Sequence, residues 1–246
     1  MKINTLSVAV ILLFSGCVHS GQELESFPEI GQEEYRGGFT LAAEESAATI
    51  CIDTCDARVV TIAAGLLADD VERLTGFRPQ IQTSESLPEG PAVIAGTIGK
   101  SSLIDELSKK GLIDTESLQG KWESYIIQTV SIKGRKDPVL VIAGSDRRGT
   151  AFGLTSLCET AGVSPWYWWA DVTPLHKDAL YVQPGRFIQE EPDVQYRGIF
   201  INDERFGGWA KWVEQTFDKE SGKVGTLKLK KGENHWKVKY NSLPLA

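Results

Sequence analysis

The sequence is poor in the residue types that build metal and nucleotide sites. It has three histidines at widely separated positions and four cysteines among 246 residues. A zinc site needs about four ligands at defined spacing, so we expect no bound metal. The sequence also lacks a Gly-x-Gly-x-x-Gly motif and a Walker-type phosphate-binding loop. We therefore expect no nucleotide cofactor.

The cysteines are too few and too unevenly spaced to predict a disulfide framework. Beyond Cys17, which lies in the N-terminal segment, three remain: Cys51, Cys55 and Cys158. The spacing Cys-x3-Cys without a second ligand pair favours small buried or strand-edge thiols. A disulfide between Cys51 and Cys55 requires an oxidising compartment. It is disfavoured if one extended strand holds both residues, because positions i and i+4 are then too far apart.

Positive charge is scarce through the body of the chain. The net charge is −7, although Lys2 adds +1 and residues 226–246 add +4, so the residues between them have a net charge of −12. An acidic surface repels the phosphate backbone of DNA and RNA, and the sequence therefore argues against a nucleic-acid partner.

The apolar run of the N-terminal segment, residues 6–14, is too short to cross a bilayer as a helix of the mature protein. It follows Lys2 and precedes Ser-Gly-Cys, a pattern that resembles a bacterial lipoprotein signal with Cys17 as the lipidated residue. The alternative is ordinary secretory cleavage near residues 16–20.

Both alternatives predict an exported protein, either in the bacterial periplasm or anchored to the outer membrane. We expect residues 1–17 to be the signal segment and the polar residues 18–40 to include a tether. The only membrane attachment that we expect is the lipid anchor at Cys17.

The middle of the chain predicts an α/β fold. Predicted strands are residues 49–53, 92–95, 124–130 and 139–143, and predicted helices are residues 57–75, 101–110 and 149–161. In the first helix, apolar side chains recur on one face at helical spacing: Val60, Ala63, Ala64, Leu67, Val71 and Leu74. Apolar strands separated by helices predict a sheet that is covered on both faces.

A polar loop, residues 144–149, connects the last predicted strand to the last helix with the sequence Gly-Ser-Asp-Arg-Arg-Gly. Ligands bind α/β sheets at this end of the strands, which makes Asp146 and Arg147 candidate substrate-binding residues. Arg147 and Arg148 could clamp a carboxylate. The alternatives are a turn with a helix N-cap and a surface ion pair at the start of the helix.

Four consecutive aromatic residues, Trp-Tyr-Trp-Trp, occupy positions 166–169. One interpretation is a sugar-stacking wall, with Trp168 and Trp169 as candidate substrate contacts. The other is a plug packed between two domains. In an extended segment the four side chains cannot all face one way, so some would pack and some could be exposed.

An apolar strand at residues 198–201 ends in Asn202, Asp203 and Glu204. Barrel enzymes present catalytic groups at the carboxyl ends of buried strands, and the alternative is an acidic strand end that caps a helix. Glycoside hydrolysis uses two carboxyl groups about 5–9.5 Å apart. Adjacent residues point to opposite sides of a strand, so at most one of Asp203 and Glu204 belongs to such a pair.

Three stretches in this order resemble the N-terminal part of glycoside hydrolase family 115: residues 144–150, 162–172 and 196–204. Residues 59–79 also resemble the family's first helix and its exit. The resemblance covers roughly residues 45–225. It implies removal of (4-O-methyl)-glucuronic acid from glucuronoxylan or a related polysaccharide, with inversion and without a metal.

The resemblance also implies an N-terminal α/β sandwich domain, residues 41–185, followed by the first strand of a (β/α)8 barrel within residues 186–225. In the family, the Asn and Asp positions at the end of that strand line the glucuronate pocket. Asn202 is thus the implied substrate-binding residue, and Asp203 and Glu204 are the catalytic candidates.

The lysine-dense residues 226–246 depart from the family pattern. They suggest a reading-frame change and a truncated chain with an incomplete barrel. A barrel with one of its eight strands cannot close, so we expect this chain to be inactive. One alternative is a non-catalytic xylan-binding or carbohydrate-binding α/β module, and another is an aggregation-prone product. The sequence does not predict the oligomeric state.

Overall fold

The structure is a computed structural model that describes Leu24 and residues 26–198. The strands among these residues are β1 (Ile30–Gly31), β2 (Phe39–Ala43), β3 (Ser46–Ala47), β4 (Thr49–Ile52), β5 (Ile81–Thr83), β6 (Ala92–Thr97), β7 (Tyr125–Val130), β8 (Val139–Gly144), β9 (Leu180–Val182) and β10 (Arg186–Gln189). The helices are α1 (Arg58–Thr75), α2 (Ser102–Lys109), α3 (Arg147–Ala161) and α4 (Tyr167–Ala170), with a short 3-10 helix at Glu116–Leu118.

A six-stranded mixed sheet, in the order β10-β7-β8-β6-β4-β5, forms the centre of the fold. The strands β5, β4, β6 and β8 are parallel, whereas β7 runs antiparallel to β8 and β10 antiparallel to β7. Alternate residues of each strand face opposite sides. Ile50 and Ile52 pack with α1 and α3, whereas Cys51 packs with α2. The predicted α/β fold with a sheet covered on both faces is confirmed.

Helix α1 forms where the helical spacing of apolar residues predicts it. All six residues of the predicted apolar face are buried. The helix ends at Gly76, whose φ of 81° lies in the left-handed region and whose N–H donates to the Glu72 carbonyl. The predicted helix at residues 101–110 is also confirmed, with the Ser101 side chain accepting a hydrogen bond from the Ile104 N–H as an N-cap.

A second sheet, in the order β1-β9-β2-β3, was not predicted. Its strands are two to five residues long, and β9 comes from a part of the chain more than 130 residues after β2. Phe39, Leu41, Leu180 and Val182 join the core cluster that includes α1 and α3. Short strands paired over such distances leave little periodicity in the sequence, which explains why the pattern did not predict them.

The chain divides into two compact units, Met1–Asp193 and Val194–Ala246. Arg186–Gln189, which follows the predicted boundary at residue 185, adds an edge strand to the six-stranded sheet through pairing with β7. The signal segment, most of the tether, the barrel strand with Asn202, Asp203 and Glu204, and residues 226–246 lie outside the described residues and stay predictions. No helix in the described part of the chain is long and apolar enough to cross a membrane.

Candidate functional site

The carboxyl ends of β4, β6 and β8 form one edge of the six-stranded sheet, here called the carboxyl edge. The loops that follow these strands lead into α1, α2 and α3. Polar side chains from all three loops meet there, because parallel strands place their carboxyl ends together. The strand β7 starts at the same edge, since Tyr125 pairs with Gly144, and β10 ends there, since Gln189 pairs with Tyr125.

Asp53 follows β4 directly and is 4% exposed. One carboxylate oxygen accepts hydrogen bonds from the N–H and the hydroxyl of Ser102, at 2.8 and 2.6 Å, and the other accepts from the Cys55 N–H at 2.9 Å. Burial raises the pKa of Asp53, but these hydrogen bonds outweigh burial and leave that pKa below its usual value. Asp53 therefore joins the loop after β4 to the start of α2 as a carboxylate.

Asp56 connects the loop after β4 to the end of β6. Its carboxylate accepts from the N–H of Thr97 at 2.6 Å and from the hydroxyl of Thr97 at 2.8 Å. The Thr97 hydroxyl also lies 3.0 Å from that of Thr150 on α3. Thr97 and Thr150 are buried. These contacts form one hydrogen-bonded network across three loops.

Asp146 is the N-cap of α3. One carboxylate oxygen accepts from the N–H groups of Arg148 and Gly149, at 2.9 and 2.7 Å, and the other accepts from the N–H of Glu123 at 3.0 Å. Glu123 is 4% exposed and forms an ion pair of 2.7 Å with Arg148. The alternatives of an N-cap and an ion pair at the helix start are thus both observed. Arg147 is exposed.

The carboxyl edge can hold its loops in place, but its described carboxylates are already occupied by protein donors. Asp53, Asp56, Asp146 and Glu123 each accept hydrogen bonds or an ion pair from neighbouring groups. Among the described residues, no group of three or more His, Cys, Asp or Glu side chains is arranged to hold a metal ion. The substrate-binding roles of Asp146 and Arg147 stay predictions.

The aromatic cluster forms the short helix α4. Trp166, which precedes the helix, is 63% exposed, and the ring of Tyr167 lies 4.9 Å from the guanidinium carbon of Arg73 on α1. The side chains of Trp168 and Trp169 lie outside the described part of the structure, so their predicted contact with substrate stays a prediction. The cluster therefore combines a packed tyrosine with an exposed tryptophan.

A pocket of about 280 Å³ lies beside this cluster, between α1, α3 and the loop after α3. We call it the α1–α3 pocket. Its lining residues are Leu66, Asp70, Thr155, Ser156, Cys158, Glu159, Val163, Ser164 and Pro165. It lies away from the carboxyl edge, because Glu159 is twelve residues, or about 18 Å, along α3 from Arg147.

Sequence reasoning missed most residues of both regions. The position of Asp53 and Asp56 after an apolar strand was a usable signal, because the same argument identified Asp146. The α1–α3 pocket had no such signal. Its walls come from residues 66–70 and 155–165, and the sequence pattern alone does not show that α1 and α3 pack side by side.

No protein-family profile matches the chain, and no curated protein matches it significantly. Among solved structures, the chain is similar to part of a family GH115 4-O-methyl-α-glucuronidase described as specific for decorated arabinogalactans. The sequence identity is 34% and the TM-score is 0.58. The similarity covers 74% of this chain but only 22% of that enzyme. The chain therefore resembles about a fifth of the enzyme's length.

Two further solved structures are similar at lower levels. CpGH84D is 12% identical with a TM-score of 0.41, over 70% of this chain and 24% of that one. The GH20 β-N-acetylhexosaminidase from Streptomyces coelicolor A3(2) is 16% identical with a TM-score of 0.38, over 69% of this chain and 26% of that one. TM-scores this low support no argument.

The similarity at 34% identity therefore carries the comparison. The observed α/β domain is similar to part of a family GH115 enzyme.

Proposed function

We propose that this chain is part of a glycoside hydrolase of family 115 that removes (4-O-methyl)-glucuronic acid from a plant polysaccharide. The supporting observation is the similarity to the 4-O-methyl-α-glucuronidase, at 34% identity over 74% of this chain. The order of the three matching sequence stretches supports the same family. Glucuronoxylan is the substrate implied by the sequence resemblance, and decorated arabinogalactan is the one named for the similar enzyme.

The proposed chemistry belongs to residues 202–204, at the end of the barrel strand that the sequence predicts. In this proposal Asn202 binds the uronic acid and Asp203 is the catalytic carboxyl group. Glu204 is the second candidate, but adjacent residues point to opposite sides of a strand, so a pair at glycosidase spacing needs a carboxyl group from another strand.

In this proposal the described α/β domain does not itself perform the reaction. Its last strand, β10, ends at the carboxyl edge and is followed there by Glu190, which pairs with Lys121, and by Glu191, which accepts from the Trp122 N–H. These contacts hold the chain as it leaves the sheet. We therefore propose that hydrolysis also requires the carboxyl group that another strand contributes.

A chimera tests the proposal. Residues 1–204 of this chain would replace the matching part of the similar 4-O-methyl-α-glucuronidase, and release of 4-O-methyl-glucuronic acid would be measured on glucuronoxylan and on decorated arabinogalactan. We expect the chimera to release 4-O-methyl-glucuronic acid. Asp203→Asn should reduce the chimera's rate by at least about a hundredfold, the scale of acid–base catalysis.

Glu85→Gln serves as the control substitution, because Glu85 is exposed in the loop after β5. It should leave the chimera's rate unchanged. The proposal fails if a folded chimera releases no glucuronic acid, or if Asp203→Asn leaves the rate intact.

We also propose that the protein is exported as a lipoprotein with its lipid at Cys17. Support comes from Lys2, the short apolar run at residues 6–14 and the small residues before Cys17. In a bacterial host, Cys17→Ser should move the protein from the membrane fraction to the soluble periplasmic fraction. Retention of the wild-type chain in the cytoplasm would contradict export.

A further inference from the structure

The α1–α3 pocket combines an apolar wall with hydrogen-bonding groups. Leu66, Val163 and Pro165 provide apolar surface, while hydroxyls and carboxylates complete the lining. Its volume of about 280 Å³ is near the lower limit of about 300 Å³ for small-molecule pockets. A space of this size suits a single ring-sized ligand.

Some polar groups of the pocket are already occupied. The Ser156 hydroxyl lies 2.9 Å from the Tyr125 hydroxyl, and the Thr155 hydroxyl donates to carbonyls of its own helix. Asp70 forms an ion pair of 2.5 Å with Arg73. These contacts hold the three side chains in place along the pocket wall.

Two other groups of the lining can form hydrogen bonds with a ligand. Glu159 is exposed, and within the described part of the chain its carboxylate forms no ion pair or side-chain hydrogen bond. The Ser164 oxygen accepts from the Trp166 N–H at 3.2 Å, and among the described residues the Ser164 hydroxyl has no acceptor of its own. A ligand can therefore donate to Glu159 and accept from Ser164.

An exposed aromatic residue directly follows the pocket lining in the chain. Trp166 follows Pro165 of the lining and exposes 63% of its surface. A large exposed indole ring is costly unless it has a partner, and indole rings stack on the apolar faces of ring-shaped ligands. The cation–π contact between Arg73 and Tyr167 holds the neighbouring residue against α1.

We propose that the α1–α3 pocket binds one neutral sugar ring of a polysaccharide backbone, with Trp166 stacking on the ring, Glu159 accepting from its hydroxyls and Ser164 donating to it. The negative charge of Glu159, which no described residue pairs, disfavours a uronic acid. The pocket would therefore select the uncharged backbone rather than the glucuronate side group. The inference rests on the proposed function for the polysaccharide backbone with its glucuronate side group and for the choice of xylose and galactose as probes.

A titration of the 15N-labelled 246-residue chain tests the inference. The probes are xylotriose and β-1,3-galactobiose as neutral sugars and glucuronic acid as the anionic sugar. We expect a neutral probe to shift the Trp166 indole N–H signal, which is assigned by its loss in Trp166→Phe. Whether xylotriose or galactobiose binds more tightly distinguishes a xylan backbone from an arabinogalactan backbone.

Variants locate the site. We expect Trp166→Ala and Glu159→Gln each to weaken binding of the neutral probe at least tenfold, and Trp166→Phe to restore part of it. Glu85→Gln makes the same change of charge outside the pocket and should bind like the wild type. Circular dichroism spectra of the variants should match that of the wild type, since both residues are exposed.

The inference is overturned if neither neutral probe shifts the indole signal, if both pocket variants bind like the wild type, or if glucuronic acid binds more tightly than the neutral probes. These outcomes are independent of hydrolysis. Binding by the 246-residue chain can therefore be present when the chimera is inactive, and absent when the chimera is active.

Discussion

The carboxyl edge and the α1–α3 pocket both gather acidic side chains, yet they use them differently. At the edge, Asp53, Asp56 and Asp146 each accept two or three hydrogen bonds from protein groups. In the pocket, Glu159 is exposed and forms no ion pair or side-chain hydrogen bond with any described residue. A carboxylate at the expected ligand-binding edge can therefore be structural, while one on a helix face remains available.

The difference between the two regions follows from where helices begin. Each loop at the carboxyl edge starts a helix, and the first N–H groups of a helix need acceptors. Asp146 and Ser101 meet that need as N-caps, and Asp53 meets it for α2 by accepting from the Ser102 N–H. The last turns of α3 have no such donors, so Glu159 stays unpaired among the described residues. Substitutions at the two regions should therefore have opposite effects on stability and binding.

The largest effect on stability is expected from Gly144→Ala at the carboxyl edge. A Cβ atom there would lie 2.1 Å from the backbone nitrogen of Thr150, so the start of α3 would have to move. We expect a loss of about 3 kcal/mol in the free energy of unfolding, measured by urea denaturation. Gly65→Ala on α1 is the matched control, because a Cβ atom there meets nothing within 4 Å, and it should stabilise by about 0.5 kcal/mol.

A somewhat smaller loss is expected from Asp53→Ala. The substitution removes the acceptor of two hydrogen bonds from Ser102 and one from Cys55. Buried donors left without a partner should lower the free energy of unfolding by about 2 kcal/mol in urea denaturation. Glu85→Ala should change it by less than about 0.5 kcal/mol. Equal effects of the two variants would mean that the edge network does not stabilise the fold.

The contribution of Asp53 should also depend on pH. Its pKa is lower in the folded protein than its usual value of about 3.9. Its stabilisation is therefore fully present above the unfolded-state pKa and is lost as the pH falls through the lower folded-state pKa. The difference in unfolding free energy between the wild type and Asp53→Asn should shrink as the pH falls below about 4. A difference that grows over that window would contradict the assignment.

The smallest effect on stability is expected from Glu159→Gln in the pocket. Its side chain is exposed and unpaired among the described residues, so the free energy of unfolding should change by less than about 0.5 kcal/mol. A loss above about 1 kcal/mol would show that the carboxylate already has a structural partner. The informative comparison is between the stability changes of Glu159→Gln and Asp53→Ala, because Asp53 is a carboxylate that accepts three hydrogen bonds from the protein.

Local patterns predicted much of the central fold. The spacing of Val60, Leu67 and Leu74 predicts the buried face of α1, and Gly76 predicts where α1 ends, since only glycine readily adopts its φ of 81°. The apolar runs at residues 92–95 and 139–143 predict β6 and β8 because strands buried on both faces need apolar side chains throughout. The strand β10 was missed because it is short and half-buried at an edge.

The candidate sites were harder to predict. The sequence identified Asp146 as either a ligand contact or an N-cap, and the structure shows the N-cap. It did not identify Glu159, because nothing in the local pattern of α3 distinguishes a pocket residue from an ordinary exposed glutamate. Whether Glu159 lines a pocket depends on which residues of α1 lie opposite it in the folded protein.

By itself, the sequence determined the α/β class, the apolar faces and the helix ends, because these follow from local periodicity and from the conformations that glycine and capping residues allow. Only the tertiary structure decided which polar groups are occupied. The pairing of Asp53 with Ser102, of Asp56 with Thr97 and of Glu123 with Arg148 joins residues 25 to 49 positions apart. A carboxylate accepts a hydrogen bond only when folding brings a donor within about 3 Å of it. The distance between donor and carboxylate is not predictable from the sequence pattern alone.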